Sequence, residues 1–368
     1  MQSVTADSVS KLVPHGLLCY CRAGFEPDLA AELGERAAEA GIAGYARAER
    51  GNGYVLFLAD EPALATRLPW RDLVFARQSL PLLAELRGLD PKDRIGPMLE
   101  AIEGHHGDGA AGQGPPYGDL WVEHPDSDAG KPLSGLARSF GNALRPALRK
   151  RGLLATAVDP SLPRLHVCFV AGDHVLLASA DPAATAPWPL GVPRLKLHAD
   201  APSRSALKLD EALLCLLDDR QRDTLLRPGM TAADLGAAPG GWTWVLARHG
   251  LRVTAIDNGP LRPHVLDTGL VDHLRADGFR WQPSHPLDWM VCDMVEQPSR
   301  VARRMGEWFA EGWCRQSIFN LKLPMKKRWQ ETRLCLDLFR ETAGRPLELR
   351  AKQLYHDREE ITVFAAAR

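Results

Sequence analysis

Asp234-Leu235-Gly236-Ala237-Ala238-Pro239-Gly240-Gly241 decides the fold of this chain. It follows a short apolar run, Thr231–Leu235, and precedes a helix-like segment from Trp242 to His249. A strand, a glycine turn and a helix N-terminus in that order open a nucleotide-binding β/α unit. The glycines let backbone approach a ligand closely. The next apolar run closes on Asp257, at about the 20-residue distance that puts a carboxylate on a ribose diol. The glycine spacing is not G-x-G-x-x-G, which disfavours a dinucleotide pyrophosphate and a nicotinamide dehydrogenase. An acidic strand end followed by Pro-Gly-Gly suits a ribose bearing an amino-acid tail, which is S-adenosylmethionine.

From about Ser203 onward the pattern is a β/α series. Strands are expected at Thr231–Leu235, Arg252–Ile256, Asp288–Cys292, Ser317–Lys322, Leu347–Leu354 and Glu360–Ala365, with helices between them. An open parallel sheet binds ligands at the carboxyl ends of its strands. Asp234, Asp257, Asp277, Asp293 and Lys322 stand at those ends. A lysine closing a buried apolar strand is costly without a partner, and Asp293 on the neighbouring strand is the expected one. Lys208, in a helix leading into the domain, and Glu360, at the start of the last strand, complete a charged set.

The 368 residues suit about two or three domains. Apolar content of 45% and charged content of 25% are ordinary for a soluble globular protein. There is no run of about 18 apolar residues and no leader pattern, so neither a membrane span nor a signal peptide is expected, and the chain reads as cytoplasmic. The seven cysteines, 19, 21, 168, 215, 292, 314 and 335, are scattered and read as reduced thiols. His105, His106 and His356 lack a ligand cluster, so no metal is expected. With a net charge of -1, any nucleic-acid surface must be a local patch.

Three blocks and a connector emerge. Residues 1–65 hold a strand at Gly16–Cys21, a helix at Pro27–Ala40 and a strand at Gly53–Leu58, read as a β-α-β unit. Residues 66–180 carry a helix from Arg94, a glycine-rich loop at Gly104–Gly118, a strand at Asp119–Glu123, a long helix at Leu133–Arg151 and a strand pair at Arg164–Ala178. Residues 181–202 are dense in proline and read as an extended linker or strap, with Trp188, Leu190, Val192, Leu195 and Leu197 packed on a surface. Residues 203–368 are the β/α series. Arg138, Arg145 and Arg149, with Lys150 and Arg151, form one basic helical face, and Lys326-Lys327-Arg328 form another. Each is a candidate phosphate contact or a plain solvated face.

Lys208, Asp293, Lys322 and Glu360 resemble the K-D-K-E tetrad of ribose 2'-O-methyltransferases similar to the heat-shock RNA methyltransferase. The stretch 203–211, Ser-Arg-Ser-Ala-Leu-Lys-Leu-Asp-Glu, is similar to that family's opening motif. A closer resemblance is to the RlmM family of 23S rRNA cytidine 2'-O-methyltransferases. It rests on Cys-Tyr-Cys-Arg-Ala-Gly-Phe-Glu at 19–26, Phe-Ala-Arg-Gln at 75–78 and Asp-Ala-Pro-Ser-Arg-Ser at 200–205. It rests also on Met-Val-Cys-Asp-Met-Val-Glu at 290–296, Phe-Asn-Leu-Lys-Leu-Pro-Met-Lys-Lys-Arg at 319–328 and Gln-Leu-Tyr-His-Asp-Arg-Glu-Glu at 353–360. These motifs span nearly the whole chain. The resemblance implies an α/β chain with a Rossmann-like S-adenosylmethionine-dependent methyltransferase domain, preceded by α+β ferredoxin-like and THUMP RNA-binding domains. It implies 23S rRNA as partner, a cytidine in the peptidyl-transferase loop as target, and no membrane; nothing demands an oligomer, so a monomer is expected. It also implies cofactor contacts from Ser205, Ala238, Pro239, Gly240, Gly241, Asp257, Asp277 and Asp293. Ala238 departs from relatives that carry Cys there, a change a backbone contact survives.

Methylation of a 2'-hydroxyl needs a base, and Lys322 is the candidate. As a base it must be neutral. Burial and the charge of Lys208 push its pKa down, while Asp293 and Glu360 push it up, and the sequence leaves the balance open. Lys208 and Glu360 are expected to orient Lys322 and the hydroxyl, and Asp293 to position Lys322. Glu359 is an alternative to Glu360, since strand alternation turns only one of them inward. Rival readings are an RNA-base methyltransferase and a silent RNA-binding assembly factor. Amine methylation usually needs Asp/Asn-Pro-Pro-aromatic where this chain has Asp293-Met294-Val295-Glu296, and Cys292 is placed for packing rather than nucleophilic attack.

Overall fold

The structure, a computed structural model, describes residues 16–106 and 115–368. Residues 107–114 of the expected glycine-rich loop lie outside the described residues. The chain divides into two compact units at Val192/Pro193.

The first unit contains β1 (Gly16–Tyr20), α1 (Glu26–Glu39), β2 (Gly44–Ala48), β3 (Tyr54–Ala59), α2 (Leu64–Arg67), β4 (Gln78–Leu86), α3 (Ile95–His106), β5 (Asp119–Glu123), α4 (Ser134–Lys150), β6 (Arg164–Ala171) and β7 (His174–Ala180). They build one seven-stranded sheet in the order β2-β3-β1-β4-β7-β6-β5. The first two sequence blocks thus share a sheet, because β4 pairs antiparallel with β1. The expected β-α-β unit is instead an antiparallel arrangement, since β3 runs against β1 and the unforeseen β2 intervenes. β2 escapes a reading by hydrophobicity because, as an exposed edge strand, it is held by its ladder to β3 rather than by burial. Leu144 and Leu148 of α4 and Met98 and Ile102 of α3 pack with Leu165, Val167 and Phe169 of β6 to form one core.

The proline-rich stretch packs over part of its length, with Leu190 and Val192 buried as expected and Leu197 44% exposed. Its first half, to Val192, lies on the first unit. Gln78 exchanges two hydrogen bonds with the backbone of Ala186, each 3.1 Å, and Leu190 N donates to the buried Glu123 at 2.7 Å. Gly191 is required there: its φ is 70° and a Cβ would lie 1.9 Å from the Arg77 carbonyl oxygen.

The second unit contains α5 (Ala206–Leu216), α6 (Asp219–Leu225), β8 (Thr231–Leu235), α7 (Gly241–Arg248), β9 (Arg252–Ile256), α8 (Pro263–Leu266), β10 (Val271–Leu274), β11 (Leu287–Cys292), α9 (Pro298–Ala310), β12 (Cys314–Lys322), α10 (Arg328–Ala343), β13 (Leu347–Lys352) and β14 (Glu360–Ala367). The sheet order is β10-β9-β8-β11-β12-β14-β13. Two features depart from the sequence reading. β10 is an additional short edge strand, with an alternation too weak to stand out. The sheet is also not wholly parallel, because β14 inserts between β12 and β13 and runs antiparallel to both. Trp289 and Phe364, both fully buried, lie in the core beneath α5 and α7.

Candidate active site

β8 ends in a turn that only glycine can make here. Gly236 has φ 80° and Gly240 φ 109°, in the left-handed region. Asp234 does not face solvent. It is 1% exposed and accepts a 2.6 Å hydrogen bond from Thr243 Oγ1, pinning the first turn of α7 to its strand. Burial pushes its carboxyl up to about 7. Asp257, beyond β9, accepts from Ala238 N at 2.9 Å and from Gly259 N at 2.7 Å. Its two oxygens therefore brace the glycine turn, and each keeps a lone pair for a further donor such as a ribose hydroxyl. Ala238 engages through its backbone, so the missing Cys side chain removes nothing from this contact. Asp277 lies in the turn after β10, exposed, with one oxygen accepting from Phe279 N at 2.8 Å.

Ser205 precedes α5 and lies against the start of α7. Its Oγ is 2.6 Å from Ser203 Oγ, its carbonyl accepts from Trp242 Nε1 at 3.0 Å, and a Cβ on Gly241 would stand 2.1 Å from its Oγ. The bare backbone at 236–241, the half-satisfied Asp257 and the exposed Asp277 together suit a ligand with a ribose diol and an amine. These carboxylates are the acceptors that the ribose hydroxyls and the adenine amine of S-adenosylmethionine would need.

Beside this turn stands a four-residue ion cluster. Lys322 Nζ is 2.7 Å from Asp293 Oδ1 and also pairs with Glu360 Oε2. Lys208 Nζ is 3.1 Å from Asp293 Oδ2 and 2.6 Å from Glu360 Oε1. Two cations thus share the same two anions in a closed ring of charge-assisted hydrogen bonds. Strand pairing brings Lys322 and Glu360 together, since they are register partners in the β12–β14 ladder. Glu359 points elsewhere, its carboxylate held by Arg328 Nη2 at 2.6 Å.

The electrostatic balance left open by the sequence falls on one side. Burial lowers the Lys322 pKa, but Asp293 and Glu360 outweigh it, and the ammonium is held above its ordinary value. Burial likewise raises Asp293, yet Lys322 and Lys208 overcome it and keep the carboxylate below its ordinary range.

Several residues of the site were not singled out by the sequence reading. Asn320 Nδ2 donates to Asp293 Oδ1 at 2.9 Å, while Thr362 Oγ1 donates to Asn320 Oδ1 at 2.8 Å. Thr362 Oγ1 also lies 3.0 Å from Asp357, whose buried carboxyl is pushed well up by burial and by Glu360. A proton on Asp357 leaves the Thr362 hydroxyl free to donate to Asn320, which orients the amide toward Asp293. Glu211, one helical turn beyond Lys208 and 2% exposed, accepts from Tyr355 N at 2.7 Å, His356 N at 2.9 Å and His356 Nδ1 at 2.7 Å. Its place in the quoted motif was the only hint, because its partners lie far away in sequence.

Of the basic helical face, Arg145 is spent on Asp119 and the Leu120 carbonyl, Arg149 on the Ala155 carbonyl and Arg151 on Glu103. Arg138 and Lys150 are exposed. Near the tetrad Lys326 and Lys327 are exposed, whereas Arg328 is buried against Glu359. Cys292 is fully buried, and burial pushes its thiol up to about 12, which leaves no nucleophilic thiolate.

Three family models match along the chain. The RlmM ferredoxin-like domain covers residues 15–80, the N-terminal model of ribosomal RNA large subunit methyltransferase M covers 93–180, and the FtsJ-like methyltransferase model covers 201–313. Ribosomal RNA large subunit methyltransferase M of Xanthomonas axonopodis pv. citri is 71% identical over 351 residues, 95% of this chain and 99% of its own. The proteins of the same name from Xanthomonas campestris pv. campestris and Xanthomonas oryzae pv. oryzae are 71% and 70% identical over the same shares. A ferredoxin-like beginning, an FtsJ-like match that takes in Lys208 and Asp293 of the ion cluster, and identity at this level along the chain's length place this chain in the ribosomal RNA large subunit methyltransferase M family.

Proposed function

We propose that this chain transfers a methyl group from S-adenosylmethionine to a ribose 2'-hydroxyl of 23S rRNA, that of a cytidine in the peptidyl-transferase loop. The observation that carries this reading is the ring in which Lys208 and Lys322 share Asp293 and Glu360, set beside a glycine turn at the carboxyl ends of β8, β11 and β12. When bound, S-adenosylmethionine would supply an electrophilic sulfonium methyl to the 2'-oxygen, with the thioether as leaving group. Lys322 Nζ receives the hydroxyl proton. At rest that nitrogen carries a proton of its own, and with 23% of its side chain exposed it can release it to solvent before the transfer. Asp293 and Glu360 hold Lys322 in place, while Lys208 balances the charge of both. Ser205, Ala238, Pro239, Gly240, Gly241, Asp257, Asp277 and Asp293 form the cofactor's binding set. Positioning supplies much of the remaining acceleration.

The block at 66–180 serves as the RNA-binding THUMP domain in this reading, and the protein acts as a cytoplasmic monomer. Among the described residues no helix is long and apolar enough to cross a membrane. The buried, protonated thiol of Cys292 speaks against base-carbon methylation through a cysteine.

The test uses labelled S-adenosylmethionine and unmodified 23S rRNA, followed by alkaline hydrolysis. A label in an alkali-resistant dinucleotide is the expected result. Label released in single modified nucleotides would mean base methylation, and no transfer at all would favour an RNA-binding assembly role.

A further inference from the structure

Asp293, Met294 and Val295 are consecutive yet meet three different surroundings. Asp293 faces the two lysines. Met294 lies on the glycine turn: a Cβ on Gly236 would stand 2.5 Å from its Cγ, and one on Gly278 would stand 3.2 Å from its Sδ. Val295 projects outward, 90% exposed. β12 repeats the arrangement. Lys322 faces the carboxylates, and three residues on Met325 is 67% exposed. Eight large apolar side chains are exposed among the described residues, and these two are the most exposed. A single exposed apolar residue needs no explanation. The two most exposed both stand on loops directly beyond β11 and β12, which are parallel neighbours, and so they share the rim of the tetrad. Lys326 and Lys327, exposed beside Met325, give the same rim positive charge. Apolar contact next to cationic contact is the complement of one nucleotide, with its flat base and flanking phosphates.

We propose that Val295 and Met325 form an apolar lip that grips the base of the nucleotide being methylated, with Lys326 and Lys327 on its flanking phosphates. This rests on the ribose-methylation reading. A nucleotide that offers its 2'-hydroxyl to Lys322 from a single-stranded loop carries an unstacked base, and that base gains from an apolar surface. A valine and a methionine touch the face of a base rather than its hydrogen-bonding edge. The lip therefore holds a base without reading which base it is.

The test compares an RNA fragment containing the methylated nucleotide with the same fragment carrying an abasic ribose there. The abasic ribose keeps the 2'-hydroxyl and both phosphates. The full chain and a Val295→Ser/Met325→Ser variant are assayed on both RNAs, and affinity for S-adenosylmethionine is measured by calorimetry. The expected loss for the full chain on abasic RNA is about tenfold in kcat/KM. The variant should lose about tenfold on intact RNA and nothing further on abasic RNA, with cofactor affinity unchanged. The lip is overturned if the variant keeps the full abasic penalty, works normally on intact RNA, or loses cofactor affinity. Alkaline hydrolysis of the wild-type product separates the two levels. Label on a base overturns the ribose reading and the lip with it, whereas a 2'-O-methyl product with an unchanged abasic penalty overturns the lip alone.

Discussion

Lys322 and Glu360 are register partners in the antiparallel ladder between β12 and β14, so the backbone itself fixes their pairing. Strand hydrogen bonds hold the backbones of this lysine and this carboxylate opposite one another. Replacing Lys322 by Arg tests what the lysine does. Arginine keeps a cation between Asp293 and Glu360 but cannot give up its proton. If Lys322 is the base, Lys322→Arg and Lys322→Ala should both lose about 10²- to 10⁴-fold in single-turnover methyl transfer. Lys322→Arg should retain cofactor binding. An arginine variant with near-normal rate would assign the position a purely electrostatic role.

Removing one anion from the ring should move the pH profile in a fixed direction. Asp293 and Glu360 hold the Lys322 ammonium above its ordinary value, so Glu360→Gln lowers it. The rate through a lysine base rises with pH as the ammonium deprotonates. The rising limb of kcat/KM should therefore shift to lower pH in Glu360→Gln, even though the maximal rate falls from misplacement. A limb that stays put would show that another group titrates.

Asp234 couples stability to pH. Its folded-state pKa, about 7, lies above the unfolded value of about 3.9. The stability contributed by its proton is complete below about pH 4 and is lost as pH rises through about 7, at up to about 1.4 kcal/mol per pH unit. Asp234→Asn, which keeps an acceptor for Thr243, should flatten that slope and be neutral or stabilising at pH 8. Urea unfolding of both proteins at pH 5 and pH 8 measures it, and parallel pH dependences would remove Asp234 as the source.

Glu211→Ala strands three donors, Tyr355 N, His356 N and His356 Nδ1. Each buried donor left unmet costs about 1–3 kcal/mol where water cannot enter. The melting temperature should fall by several degrees, and Glu211→Gln, which keeps one good acceptor, should fall less. Equal melting of all three proteins would mean that the loop at 354–357 is held by other contacts.

Gly241→Ala should weaken cofactor binding about tenfold through its neighbour. The new Cβ would stand 2.1 Å from Ser205 Oγ and 3.1 Å from Ala206 N, so the start of α5 must move. Adding Ser205→Ala removes the closest clash and should recover part of the affinity by calorimetry. A double variant as weak as Gly241→Ala alone would place the damage elsewhere.

The glycine turn, the strand ends and the four charged residues were legible because each is local: Gly236 and Gly240 need particular backbone angles, and Lys322 ends an apolar run. β2 and β10 were not legible, since short edge strands are held by ladders rather than by a buried face. The choice between Glu359 and Glu360 depended on the register of a strand that returns antiparallel, which no periodicity reports. Asn320, Met294 and Glu211 act through partners distant in sequence or on neighbouring turns, and their own residue types are unremarkable in a strand, a loop and a helix. The ionisation of Lys322 was undecidable from residue types because opposing contributions of similar size had to be weighed by distance.

β13 reaches the sheet only through β14, and β14 lies between it and β12. β13 can therefore join the sheet only with or after β14, and until β14 docks on β12 Lys322 faces no Glu360. If the tetrad is the catalytic centre, every partly folded form lacking β14 is chemically silent, however complete its glycine turn. Recovery of methyl transfer during refolding should therefore track the docking of β14 on β12.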